Sequence, residues 1–355
     1  QPDAPRIIGV MSGSSLDGLD IACCTFSETG KGWSYEIEQA ETVMYPASIQ
    51  ERLAAIPDIQ GEELINLDLK LGYFIGQQVH DFIQKHNLGK VSYIASHGHT
   101  VAHNPELGFS LQIGHGSTIA AITGITVIAD FRSLDMELGG QGAPLVPIGD
   151  EYLFPEYDYC LNLGGFSNLS HKLFGQRIAF DICPVNKIIN LLAREAGKDM
   201  DHDGEMARQG MISGDMLEEL NQLPYYRQSP PKSLGDDWFN HEFMKIVNRW
   251  KDLPLNDRLR TIYEHIAIQI AQSTSNSSRG QILVTGGGTH NTFLVECIQD
   301  HNPNRLIIPG QKLIDFKEAM VFAFMGLLRS MDEVNCLASA TGASRDSSSG
   351  VIFHA

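Results

Sequence analysis

Positive charge is scarce in this chain: 26 Lys and Arg stand against 43 Asp and Glu in 355 residues, a formal net charge of −17. No basic block of the kind that neutralises a phosphate backbone or an anionic bilayer occurs, so neither a nucleic-acid nor a membrane partner is expected. No apolar run reaches the length of a membrane span. The opening QPDAPRIIGV lacks the basic and long apolar parts of a secretory leader. Cysteine is sparse too. Cys23, Cys24, Cys160, Cys183, Cys297 and Cys336 show neither paired metal-ligand spacing nor a disulfide-rich layout, and buried free thiols in a reducing cytoplasm are expected. Also missing are a Walker lysine motif, a dinucleotide fingerprint and any Ser–His–Asp or Cys–His arrangement.

What the chain has is glycine at strand ends. MSGSSLDGLD (Met11–Asp20) and LNLGGFSNLS (Leu161–Ser170) each follow or overlap a strand-like run and turn through glycines and small hydroxyl residues. A third run, TGGGTHN (Thr285–Asn291), follows the apolar QILV. Exposed backbone N–H groups at such turns cradle oxyanions. Taken singly, each turn is equally well an ordinary tight turn. Together, in opposite halves of one chain, they suggest two lobes gripping one polyphosphate, as in a kinase or ATPase outside the P-loop class. Gly13, Ser14 and Ser15 would contact the transferring phosphate, with Asp17 and Asp20 as candidates to hold Mg²⁺ through water.

The organisation supports a duplicated α/β domain. Arg6–Met11, Leu19–Phe26 and Trp33–Val43 read as an antiparallel meander, Leu64–Lys85 as an amphipathic helix and Val91–Ser96 as a strand whose end presents His97, Gly98 and His99. Gly114–Thr123 reads as a helix and Thr126–Ala129 as a strand; Asp130–Pro147 reads as a loop and lobe boundary. A second series follows: strands Tyr157–Leu163 and Gln176–Ile182 split by a Gly/Asn/Ser turn, helices Asn186–Glu195, Glu205–Leu220 and Ile262–Ser273, strand Gln281–Val284 and helix Phe316–Leu328. Asp181, at the end of the apolar RIAF, is placed either as a general base facing a cleft or as a plain pre-turn acid.

Over nearly its full length the chain resembles the anhydro-N-acetylmuramic acid kinase family, within the actin, Hsp70 and sugar-kinase superfamily. The resemblance is carried by MSGSSLDGLD, SHGHTVAH, TGITVIADFRSLDMELGGQGAPLVP, LNLGGFSN, PPKSLG, TGGGTHN and the helix of Glu318. It implies an α/β fold of two RNase-H-like (actin-like ATPase) lobes around a central nucleotide cleft. The first lobe would span residues 1–130, completed by about 340–355, and the second residues 131–339. The implied reaction uses ATP and Mg²⁺: water attacks the anomeric carbon of a 1,6-anhydro amino sugar and the freed O6 takes the γ-phosphoryl group, in cytoplasmic cell-wall recycling by a homodimer.

The same resemblance implies roles for particular residues. Asp181 matches the base. Gly13, Ser14, Ser15, Asp17, Gly164 and Gly165 match the phosphate site, and Gly286, Gly287 and Gly288 the nucleotide side. His99, Arg132 and Glu318 match sugar-site positions. Two departures stand out: FDICPVN at Phe180–Asn186 where familiar members carry FDTGPGN, and SHGHT where many have SHGQT. A related kinase of another anhydro or amino sugar, and a non-catalytic Hsp70-like ATP-binding protein, are the alternatives that this sequence leaves open.

Overall fold

The computed structural model describes residues 4–13, 18–30, 32–56, 59, 61–275 and 279–355. It contains two compact units, one of residues 1–153 with 316–355 and one of residues 154–315. Residues 131–153 and 316–339, expected with the second lobe, therefore pack in the first unit. The reason is close backbone contact. A Cβ on Gly9 would lie 1.8 Å from the Ala319 carbonyl oxygen, and one on Gly326 would lie 2.6 Å from Ala95 Cβ. The helix carrying Ala319 thus lies directly on the first sheet.

That sheet is built from β1 (Arg6–Ser12), β2 (Leu19–Thr29), β3 (Gly32–Val43), β4 (Val91–Asn104), β5 (Phe109–Ile113), β6 (Val127–Ala129) and, from the chain's end, β12 (Val351–Phe353). Its order is β12-β6-β4-β1-β2-β3, with β5 paired to β4. β1, β2 and β3 form the expected meander, and β4 and β6 run parallel to β1. In the second unit, β7 (Tyr159–Leu163), β8 (Phe166–Leu173), β9 (Gln176–Pro184), β10 (Gln281–Thr285) and β11 (Arg305–Ile307) are ordered β11-β10-β7-β8-β9. Here too an antiparallel meander is extended by two parallel strands. The second sheet repeats the five central strands of the first.

The first sheet has helices on both faces, that of Ala319 on one and Glu62–Lys85 on the other. Leu67, Leu71, Ile75, Val79 and Phe82 of the helix Glu62–Lys85 sit at helical spacing in the core with Ile8, Val10, Ile21 and Ile94. The second core joins Leu161, Leu163 and Ile282 to Leu259, Ile262, Tyr263 and Ile266 of the helix Leu255–Ser273. All six cysteines are free and buried. Among the described residues, no helix is long and apolar enough to cross a membrane.

Three expected elements differ. β4 runs on to Asn104, so SHGHTVAH lies inside a strand, because residues 99–104 pair antiparallel with β5. The turn expected between two strands of the second series is mostly β8, bonded on both sides. The helix expected over Glu205–Leu220 breaks into Glu205–Arg208 and Gly214–Asn221. At the break Gly210 runs so close to Asn256 that a Cβ would lie 2.0 Å from its carbonyl oxygen.

Candidate active site

In the first unit, the polar residues gather where β1 ends beside the middle of β4. Ser12 Oγ lies 2.8 Å from His99 Nδ1 and accepts a 2.6 Å hydrogen bond from the Tyr45 hydroxyl, all three side chains being buried. Burial holds the His99 imidazole below its ordinary pKa and pushes the Tyr45 phenol up to about 12, so both stay neutral near pH 7. Gly13 follows directly, while Ser14, Ser15 and Asp17 lie outside the described residues.

Arg132, just beyond β6, is held by three donated hydrogen bonds. Its Nε and Nη2 reach His97 Nε2 at 3.1 and 2.8 Å, and its Nη1 reaches the Gly142 carbonyl. The GGQG turn supplying that carbonyl is fixed in its own right. Buried Asp135 accepts from Gly142 N–H at 2.8 Å, from Thr341 Oγ1 at 2.7 Å and from Cys336 Sγ at 3.2 Å. The segment expected as an open loop is thus tied to the chain's last residues. Glu318 keeps a solvent-exposed face although protein crowds its carboxyl. Burial and nearby Asp20 raise its pKa, with Arg132 and Lys317 opposing. Asp20 also accepts a 2.6 Å hydrogen bond from Thr42 Oγ1.

In the second unit, Asp181 lies within β9 rather than at its end. The PPKSLG segment runs alongside it: Asp181 N–H donates to the Lys232 carbonyl at 3.2 Å, and Leu234 N–H donates to Asp181 Oδ2 at 2.8 Å. The Tyr225 hydroxyl donates to the Asp181 carbonyl at 2.6 Å. Burial raises the Asp181 carboxyl to about 6, against the lowering effect of the Leu234 hydrogen bond. The departures in FDICPVN point inward. Ile182, Cys183 and Val185 are core residues.

The two glycine turns of this unit meet at the carboxyl ends of parallel strands β7 and β10. The carbonyls of Gly164 and Gly165 accept N–H groups of Val185, Asn186 and Lys187, tying the turn to the start of the helix Asn186–Glu195. A Cβ on Gly286 would lie 2.5 Å from Asn162 Oδ1, and one on Gly288 would lie 2.8 Å from Leu163 Cβ. A Cβ on Gly165 would face open space. Beside this cradle, the Thr285 and Thr289 hydroxyls are buried without a hydrogen-bond partner, as a site awaiting polar ligand atoms would leave them. No cluster of three metal-binding side chains occurs among the described residues. Mg²⁺ bound mainly by phosphate oxygens and water needs no such cluster.

Sequence reading marks His97 beside His99 but not its bond to Arg132. It misses the contacts of Tyr225 and the Leu234 N–H, of which only the second is marked, by PPKSLG.

Two sheets of one repeated order, with glycine turns at the ends of parallel strands β7 and β10, define the RNase-H-like ATPase class of actin, Hsp70 and the sugar kinases. A family model described as anhydro-N-acetylmuramic acid kinase matches residues 5–355. An anhydro-N-acetylmuramic acid kinase of Saccharophagus degradans is 34% identical over 368 residues, covering 98% of this chain and 98% of that protein. The chain belongs to the anhydro-N-acetylmuramic acid kinase family, and is with it an ATP-dependent sugar kinase. Solved structures similar to it include the activator of the 2-hydroxyisocaproyl-CoA dehydratase from Clostridium difficile with bound ADPNP, at 12% identity and a TM-score of 0.44, covering 92% of this chain and 97% of that one. Another is a ROK family glucokinase from Streptomyces griseus in complex with glucose and AMPPNP, at 14% identity and a TM-score of 0.40, covering 90% and 97%.

Proposed function

We propose that the chain opens the ring of 1,6-anhydro-N-acetylmuramic acid and phosphorylates its O6 from ATP, with Asp181 as the base. The observation that carries this reading is the Asp181 carboxyl itself. It is largely desolvated and oriented through Oδ2 by the Leu234 N–H, which directs the proton to be taken towards Oδ1. Asp181 removes a proton from water as the water oxygen bonds to C1. The C1–O6 bond breaks, and the O6 electron pair attacks the γ-phosphorus as ADP leaves. The water-activating half resembles an inverting glycosidase, with phosphate capturing the leaving oxygen. Arg132 and Glu318 hold the sugar. The turns at Gly164–Gly165 and Gly286–Gly288, with the Thr285 and Thr289 hydroxyls, hold the nucleotide, and Asp20 would hold Mg²⁺ through water.

Incubation with ATP, Mg²⁺ and the anhydro sugar in ¹⁸O-water is expected to yield N-acetylmuramic acid 6-phosphate carrying ¹⁸O at C1 only. Label in the phosphate, or ATP hydrolysis without sugar product, would overturn the reading. Because the base works ionised and its pKa is raised to about 6, kcat/KM is expected to fall about tenfold per pH unit below that value. A profile flat to pH 4.5 would remove Asp181 from the role.

The reading includes a cytoplasmic homodimer, joined through the first unit. Ile65, Leu69 and Tyr73 line one exposed stripe of the helix Glu62–Lys85, and Leu107, Phe109 and Leu111 are exposed on and before β5. Among the described residues β5 pairs only with β4, which leaves its other edge for a second copy. Leu69→Glu with Leu111→Glu is expected to sediment as monomer where the parent sediments as dimer. A dimer that survives both changes would place the interface elsewhere.

A further inference from the structure

We propose that His97 is a positioning residue that aims the Arg132 guanidinium without neutralising it, so that Arg132 recognises the carboxylate distinguishing a muramic sugar from its glucosamine counterpart. The inference rests on the reading of Arg132 as a sugar-site residue. It starts from a donor count. A guanidinium has five N–H donors. Nε and Nη2 each give one to His97 Nε2, and Nη1 gives one to the Gly142 carbonyl. Two remain, one on each Nη, and a paired set of donors suits a carboxylate.

The acceptor's chemistry is the second part. His97 Nδ1 lies 2.8 Å from the Gly98 carbonyl, which can only accept, so Nδ1 carries the ring proton and Nε2 offers its lone pair to Arg132. The ring is buried and packs against Phe322 with centroids 4.7 Å apart. Its titratable and charged neighbours are Arg132 and His99, both of which disfavour a second proton. Glu318, Cys336 and Asp135 also act on the Arg132 charge, and no carboxylate lies within ion-pair distance of it among the described residues. A carboxylate in place of His97 would orient the guanidinium equally well but cancel its charge. A neutral imidazole orients it and leaves the charge for a ligand.

The test compares His97→Gln, His97→Leu and His97→Glu on 1,6-anhydro-N-acetylmuramic acid and on 1,6-anhydro-N-acetylglucosamine, which lacks the carboxylate. The parent is expected to prefer the carboxylated sugar at least tenfold in KM. His97→Gln, whose amide oxygen can replace Nε2, should keep that preference within about threefold. His97→Leu should raise KM for the carboxylated sugar at least tenfold while kcat moves less than threefold. His97→Glu should erase the preference. Equal KM changes for both sugars, or losses confined to kcat, would overturn the proposal. Should the parent turn over neither sugar, the functional reading fails by itself, and the ring still decides the positioning role. The ¹⁵N spectrum of His97, assigned by its loss in His97→Gln, should show a neutral Nδ1–H ring from pH 5 to 8. An Nε2–H tautomer, or protonation near pH 6.5, would overturn it.

Discussion

Replacing Asp181 with asparagine is expected to lower kcat at least about a hundredfold while ATP affinity stays within about twofold. The size follows from the worth of a positioned general base, roughly 10²–10⁴ in rate. Asparagine matches aspartate in shape and can still accept from Leu234 N–H through its amide oxygen, but it has no basic lone pair to take a proton. Stability should move the other way. The rise of the Asp181 pKa from 3.8 to about 6 corresponds to about 3 kcal/mol against the ionised form in the folded chain.

The sign is settled by proton uptake. Between those two values the folded protein holds a proton that the unfolded chain has released, so stability falls as pH rises through the window. The full penalty applies above about 6. Asp181→Asn should therefore raise the midpoint of thermal unfolding at pH 8, and the advantage should vanish below pH 4. Loss of activity together with a lower midpoint at pH 8 would mean that the substitution damages the fold, and the assignment of a base would lose its support.

Much of this architecture is legible because it is local. The first three strands alternate or run apolar between glycine turns, and the helix Glu62–Lys85 shows its buried stripe at helical spacing. What escapes is pairing and packing at a distance. β8 hides behind the glycines and Asn168 because its strand character comes from ladders on both sides. β4 looks finished at Ser96 until β5 returns to pair with His99–Asn104. The passage between units is invisible at Asp130–Pro147, since hydrogen bonds to residues 336–341 hold that stretch in the first unit. Within the candidate site, Asp181 and the glycine turns could be found by eye. His97 stands out in SHGHT, but its role could not be read there, because that depends on an arginine 35 positions away. Cys183 and Val185, which stand where familiar members carry glycine, fill the second core with their side chains, and the Cys183 thiol, pushed up to about 12 by burial, stays an inert packing group.

Gly286 and Gly287 should respond differently to alanine, and the difference separates folding from nucleotide binding. Gly286 has φ +88° and ψ 161°, a region that L side chains essentially do not enter, at a cost of roughly 1–3 kcal/mol. Its added Cβ would also lie 2.5 Å from Asn162 Oδ1 and 2.9 Å from both the nitrogen and the carbonyl oxygen of Leu163. Those last two are backbone atoms of β7 and cannot swing aside, so overpacking adds roughly another 1–3 kcal/mol. Gly286→Ala is expected to lower the thermal midpoint markedly and to raise KM for ATP at least thirtyfold, as the turn is forced off the strand end. At Gly287 the nearest atom to an added Cβ is Asn186 Nδ2 at 3.8 Å, an ordinary contact. Gly287→Ala should therefore unfold at nearly the parent temperature, while its methyl group stands in the space a bound phosphate or base would approach and raises KM for ATP about tenfold. Calorimetric unfolding read beside ATP titration of both variants decides the matter. If Gly287→Ala bound ATP as the parent does, this turn would be a packing device between β7 and β10, and the nucleotide would have to be held elsewhere.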